Sequence, residues 1–131
     1  RAATLSRSAD GGNAKAMRNL GDLYYFGGPV DRDLKKAAKF FESAVKAGSD
    51  RAKFDLGRLH YRGHGVERDL TRAARHIEES ARDGYARARL FLGIMYSKGQ
   101  GVARNPATAY YWLTLATTGE AKTARRYLSN L

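Results

Sequence analysis

Apolar residues recur along this chain at helical spacing, and glycine-rich breaks interrupt them at regular intervals. Between residues 50 and 62, Ala52, Leu56, Leu59 and His60 stand at i, i+4, i+7 and i+8, one face of an α-helix. The matching stripe in the first helix is Ala16, Leu20 and Tyr24. Gly63-His64-Gly65-Val66 ends the run, and equivalent turns are Gly27-Gly28-Pro29-Val30 and Gly99-Gln100-Gly101-Val102. Glycines just past a helical run suit the left-handed conformation that closes helices. Asp33, Asp69 and Asn105 then occupy N-cap positions, with Pro106 at the favoured first helical position. The pattern predicts second helices over residues 34–47, 70–83 and 106–117. Alanines at 37, 44, 73, 109 and 116 allow close helix approach there, and Phe40-Phe41, His76-Ile77 and Trp112-Leu113 supply bulk.

These elements repeat in register. Leu20-Gly21, Leu56-Gly57 and Leu92-Gly93 lie 36 residues apart, and Tyr24/His60/Tyr96, Gly27/Gly63/Gly99, Val30/Val66/Val102 and Ala37/Ala73/Ala109 keep the same interval. A fixed period in this range signals stacked helical units whose core continues from one to the next. The expected organisation is the end of a preceding repeat at residues 1–12, repeats at 13–48, 49–84 and 85–119, and a capping helix at 120–131. The glycines closing the second helices, Gly48, Gly84 and Gly119, show that the third unit is one residue shorter. Because Gly12 extends the same register backwards and the chain opens on Arg1, the sequence reads as a piece of a longer polypeptide.

The columns Leu-Gly-x-x-Tyr-x-x-Gly-x-Gly-Val, then Asp, Ala, an aromatic pair, Ala and Gly, closely resemble the Sel1-like repeat, a slightly longer relative of the tetratricopeptide repeat. Leu92 to Val102 fits at every defined position, whereas Pro29, His60 and His76 depart from it in packing columns. The resemblance implies an all-α, right-handed superhelical solenoid of antiparallel helix pairs that acts as an adaptor for protein complexes. It also implies a bacterial signalling or envelope setting, with the periplasm favoured over the cytoplasm. Some related proteins are credited with penicillin-like or peptidoglycan ligands, but those are typically cysteine-bridged, and this chain has no cysteine.

A formal charge of +11 favours acidic partners of any kind, although much of it could simply solvate the surface. The absence of cysteine excludes disulfides and thiolate metal sites. No apolar stretch is long enough to form a membrane-spanning helix.

Candidate chemistry reduces to packing. His60 and His64 have the i, i+4 spacing of a zinc-binding pair, yet Gly63 ends the helix between them and no third ligand has a defined place. Ser43 and Lys46 spell Ser-x-x-Lys, but the next repeats do not maintain the pair and its companion motifs are missing. The glycine turns could cradle phosphate were they not followed by Asp or Asn. No catalytic set, cofactor or metal is expected.

The face of the first helices opposite the core stripe carries the remaining signal. It presents Lys15, Asn19, Asp22 and Phe26, then Arg51, Asp55, Arg58 and Arg62, then Arg87, Phe91, Ile94 and Lys98. Aromatic anchors among cations suit a groove for a protein or peptide with an acidic segment. An anionic polymer, nucleic acid or envelope glycan, is the alternative occupant. Nucleic acid is the less favoured, because the cations are spread over both helices of each repeat and no recognised nucleic-acid module is present.

Overall fold

The computed structural model describes residues 13–131 in full and residues 2–12 only as the start of the first helix. The expected repeat tail at residues 1–12 lies outside the fully described residues. Among the described residues the architecture is all-α: α1 (Ala2–Phe26), α2 (Leu34–Lys46), α3 (Asp50–Arg62), α4 (Leu70–Arg82), α5 (Ala86–Lys98), α6 (Pro106–Ala116) and α7 (Ala121–Ser129). Two compact units divide them, residues 1–68 with α1 to α3 and residues 69–131 with α4 to α7. Within each, successive helices joined by short turns pack as neighbours.

The caps form where the sequence places them. Asp33, Asp69 and Asn105 accept bonds from the backbone N–H groups of Lys36, Arg72 and Thr108 at 3.0, 3.0 and 3.1 Å. Gly63 and Gly99 close α3 and α5 in the left-handed conformation, with φ of 70° and 71°. Ser49 caps α3 as well, its hydroxyl accepting the Ala52 N–H at 3.1 Å.

The Leu-Gly column has a packing cause. A Cβ on Gly21 would stand 2.6 Å from Phe41 Cε1, and one on Gly93 2.6 Å from Leu113 Cγ. The missing side chain therefore lets α1 settle onto Phe41 of α2 and α5 onto Leu113 of α6. In the first unit Tyr25, Phe41, Leu56 and Leu59 form the core, with Tyr24 and Val66 against it. In the second unit Leu90, Leu113, Ala116 and Ala124 do so, with Ile94, Tyr127 and Leu128.

The stripe expected in α1 is displaced. Ala16 is exposed and Leu20 and Tyr24 are half-buried, whereas Ala14, Gly21 and Tyr25 are buried. The Ala16 column is fully buried at Ala52 and Ala88. Their helices, α3 and α5, lie against a preceding second helix, α2 and α4 respectively. Among the described residues, no helix precedes α1 to close its column in the same way.

A further column emerges at Arg32, Arg68 and Arg104. Their Nε atoms donate to the carbonyls of Tyr25, Tyr61 and Ser97 at 2.8, 3.2 and 3.2 Å. Each guanidinium thus ties a loop back onto the end of the preceding helix, where carbonyls lack intrahelical partners. Three of the cations behind the net charge are structural fastenings, and their 36-residue spacing was the signal for them.

Candidate functional site

In the first unit the predicted groove residues divide by exposure. Asn19 and Arg62 are exposed, Phe26 is 69 % exposed, and Asp22 is half-buried. Asp55 and Arg58, expected on an open face, are instead buried, each 8 % exposed. Aromatic rings and α1 close over them. The Arg58 guanidinium lies 5.2 Å from the Tyr25 ring centroid and 5.8 Å from that of Phe54, within cation–π range.

An ionic network joins α1 and α3. Arg18 Nη1 donates to Asp22 Oδ2 at 3.1 Å and lies 3.9 Å from Asp55 Oδ2, while Arg58 Nη2 lies 3.5 Å from Asp55 Oδ1. Neither Asp55 Oδ2 nor Arg58 Nε has a hydrogen-bond partner. Burial pushes the Asp55 carboxyl up to about 6; Arg58, Arg18 and Arg51 pull it down, and Asp22 adds to the rise. Desolvation therefore outweighs the attraction of the arginines, as expected for an ion pair with poor geometry.

Tyr25 is the hub of this region. Its hydroxyl shares a 2.9 Å hydrogen bond with His64 Nδ1, its ring meets Phe26 edge-on at 4.9 Å, and Arg32 lies 5.5 Å from its centroid. His64 is held below its usual range by loss of hydration, with Arg62, Arg32 and Arg58 adding to the effect. His60 is engaged separately, its Nδ1–H donating to the Glu67 carbonyl at 3.2 Å. Among the described residues no three His, Asp or Glu side chains gather as metal ligands would. Ser43 and Lys46 both lie exposed on α2.

The predicted face omits Arg18 and Tyr25, and His64 enters the sequence pattern only as half of a zinc-spaced pair. Arg18 falls off the assumed face by one helical position, and Tyr25 was passed over for the repeat-column Tyr24.

In the second unit the predicted residues behave differently. Ile94 packs with Tyr127 and Leu128 against the apolar cluster, and Phe91 is half-buried. Lys98 is exposed, its Nζ 6.0 Å from the Tyr127 ring centroid. It borders a pocket of about 290 Å³ shared with Ser97, Arg104, Tyr127 and Asn130. A larger pocket, about 420 Å³, lies along α4 beside the Gly101-Val102 turn and includes Arg75, Glu78 and Arg82.

The solved structures similar to this chain are repeat proteins. A Sel1 repeat protein from Oxalobacter formigenes aligns with a TM-score of 0.80 and 29% identity, over 98% of this chain and 96% of its own. The protective antigen c5321 of uropathogenic Escherichia coli, described as displaying an SLR fold, gives 0.86 and 29% identity over 99% of this chain. This chain spans 28% of that protein. The Helicobacter pylori cysteine rich protein B shares the fold at a TM-score of 0.72 and 21% identity, over 93% of each chain. No curated protein matches the chain. The Sel1 repeat itself is matched at residues 14–49, 50–85 and 86–119, so the chain belongs to the Sel1 repeat family, whose helical repeats commonly serve as protein-interaction scaffolds.

Proposed function

We propose that this protein is a non-catalytic scaffold whose first-helix face binds an acidic or mixed-charge segment of a partner protein, in a bacterial signalling or cell-envelope setting. The observation that carries the reading is Phe26, 69 % exposed and packed edge-on against Tyr25 in a neighbourhood that also holds Arg32, Arg58 and His64. An apolar anchor beside cations suits a segment combining a large apolar side chain with carboxylates. Phe91, Ile94 and Lys98 belong to the same reading in the second unit, with Ile94 as packing support and Lys98 as the exposed cation.

Fluorescence anisotropy with labelled peptides tests it. An acidic peptide containing Leu or Phe should bind more tightly than an acidic peptide without an anchor, and a basic peptide should not bind. Phe26→Ala and Arg62→Glu should each weaken the first peptide at least about tenfold, the usual cost of losing a hot-spot contact. Unchanged affinity in both variants removes the groove assignment. Arg58→Glu is a poor probe, because it would put a third carboxylate into the network, beside the buried Asp55.

The anionic-polymer alternative draws on α2, which exposes Lys35, Lys36, Lys39 and Lys46. A gel-shift titration at two salt concentrations separates it, since polyanion binding falls steeply with salt through counterion release.

A further inference from the structure

The first unit contains a second feature on the same helix face, toward the opposite end from Phe26. A pocket of about 260 Å³ lies between α1 and the turn joining α2 to α3, and Lys15, Arg18 and Arg51 converge on it, with Ser49 and the small residues Ala14, Ala47 and Gly48 completing the wall. Lys15 and Arg51 are exposed, and the Arg18 side chain is only 15 % exposed. The pocket also adjoins the start of α3. Ser49 takes the Ala52 N–H, while the amides of Asp50 and Arg51 have no intrahelical acceptor.

We propose that this pocket is a carboxylate seat for the partner's acidic segment, in which Lys15, Arg18 and Arg51 supply the charge and Asp55 is an internal rival for Arg18. The proposal rests on the scaffold reading and names one part of what the scaffold recognises. Three cations around one small cavity, in a chain of net charge +11, select an anion. Two of the described acids nearby already have cationic partners. Asp22 bonds Arg18 at 3.1 Å, and Asp50 pairs with Lys53, its Oδ1 3.5 Å from Nζ. Asp55 is the weak member: it reaches Arg18 only at 3.9 Å, and its Oδ2 has no hydrogen bond. An incoming carboxylate can make the short charge-assisted bonds that Asp55 does not.

Spacing adds a constraint on the partner. Lys15 and Phe26 are eleven residues apart on α1, about 16 Å at the rise of a helix. An extended segment covers that distance in about five residues. The preferred partner sequence therefore places an acidic residue about five positions from its apolar anchor.

Asp55 also makes the seat sensitive to pH. The charged groups acting on its carboxyl are Arg51 and Arg58 of its own helix and Arg18 and Asp22 of α1. Because its titration lies near 6, lowering the pH from 7.5 to 5.5 removes one negative charge behind Arg18 and strengthens anion capture. The expected gain is about fivefold, the scale of one screened unit charge a few ångströms away.

The probe is an N-acetylated, C-amidated pentaglutamate titrated calorimetrically into the full chain. Lys15→Gln with Arg51→Gln should weaken binding at least about tenfold, because both charges line the pocket. Arg72→Gln with Arg75→Gln, an equal change of net charge on α4, should weaken it less than twofold. Equal losses in the two double variants would reduce the effect to net charge and overturn the seat, as would failure of the parent chain to bind. Asp55→Asn should bind more tightly at pH 7.5 and show no gain at pH 5.5. A pH dependence surviving in Asp55→Asn overturns the rivalry. Inorganic phosphate displacing the peptide at equal concentration would make the pocket a phosphate site instead. Loss of the anchored peptide at Phe26 and Arg62, with no effect at Lys15 and Arg51, would overturn the seat and leave the scaffold reading standing.

Discussion

Helices α3 and α5 carry the same repeat columns and differ in what stands between them. Leu56-Gly57 and Leu92-Gly93, Ala52 and Ala88, Gly63 and Gly99 are superimposable features of one register. Between them, Asp55 and Arg58 of α3 are replaced in α5 by Phe91 and Ile94. In the first unit this face holds a buried, loosely paired ionic network; in the second, Ile94 joins a plain apolar cluster with Tyr127 and Leu128. The register tolerates both, because the columns alone supply the turns, caps and helix contacts. The intervening positions are free to vary, and in the first unit they hold charge at a cost in stability.

The largest test of that contrast is Arg58→Ala. Removing it strips the Tyr25 and Phe54 rings of a packed guanidinium and leaves Asp55 with only the weaker attraction of Arg18 and Arg51, so chemical denaturation should show a loss of about 3 kcal/mol. Combining it with Asp55→Asn should recover a large part, a coupling that independent residues would not show.

Asp55→Asn alone should stabilise the protein at pH 7.5. The folded carboxyl titrates at about 6 against 3.8 for the free group, so the folded state binds more protons between those values and stability declines as pH rises from about 4 to about 6. The full penalty above that window is about 3 kcal/mol; with the amide still needing hydrogen bonds, a gain of about 2 kcal/mol is expected. His64 works in the opposite sense. Its folded value is lowered, so its contribution is lost as pH falls below the ordinary histidine range. Thermal unfolding should therefore differ less between pH 5 and pH 7.5 in the parent than in a His64→Asn background.

Ile94→Ala should cost least, about 1 to 1.5 kcal/mol, because the side chain is half-buried against an apolar cluster. No pH dependence should accompany it. A pH-dependent loss at Ile94 would break the distinction between the two helices.

Much of the local structure could be read directly. Asp33, Asp69 and Asn105 cap helices because capping needs only a short polar side chain three residues before an orphan amide, a relation internal to the local segment. The faces were harder. A helical wheel places Asp55 and Arg58 on an open side, but burial depends on which other elements close around a helix, and Tyr25 and Arg18 of α1 do so here. The same reasoning accounts for Ala52 and Ala88, fully buried where α2 lies against α3 and α4 against α5.

By itself, the amino-acid order determined the period, the positions of the turns, the caps and the family, since each rests on contacts a few residues long repeated at a constant interval. The tertiary structure decided which charges are spent internally. Arg32, Arg68 and Arg104 fasten loops, Arg58 is enclosed by aromatic rings, and Lys15, Arg18 and Arg51 converge on one pocket. Long flexible cations reach partners far from their own position in the chain, so only the packed helices determine whether each one faces a carbonyl, a ring, a carboxylate or a cavity.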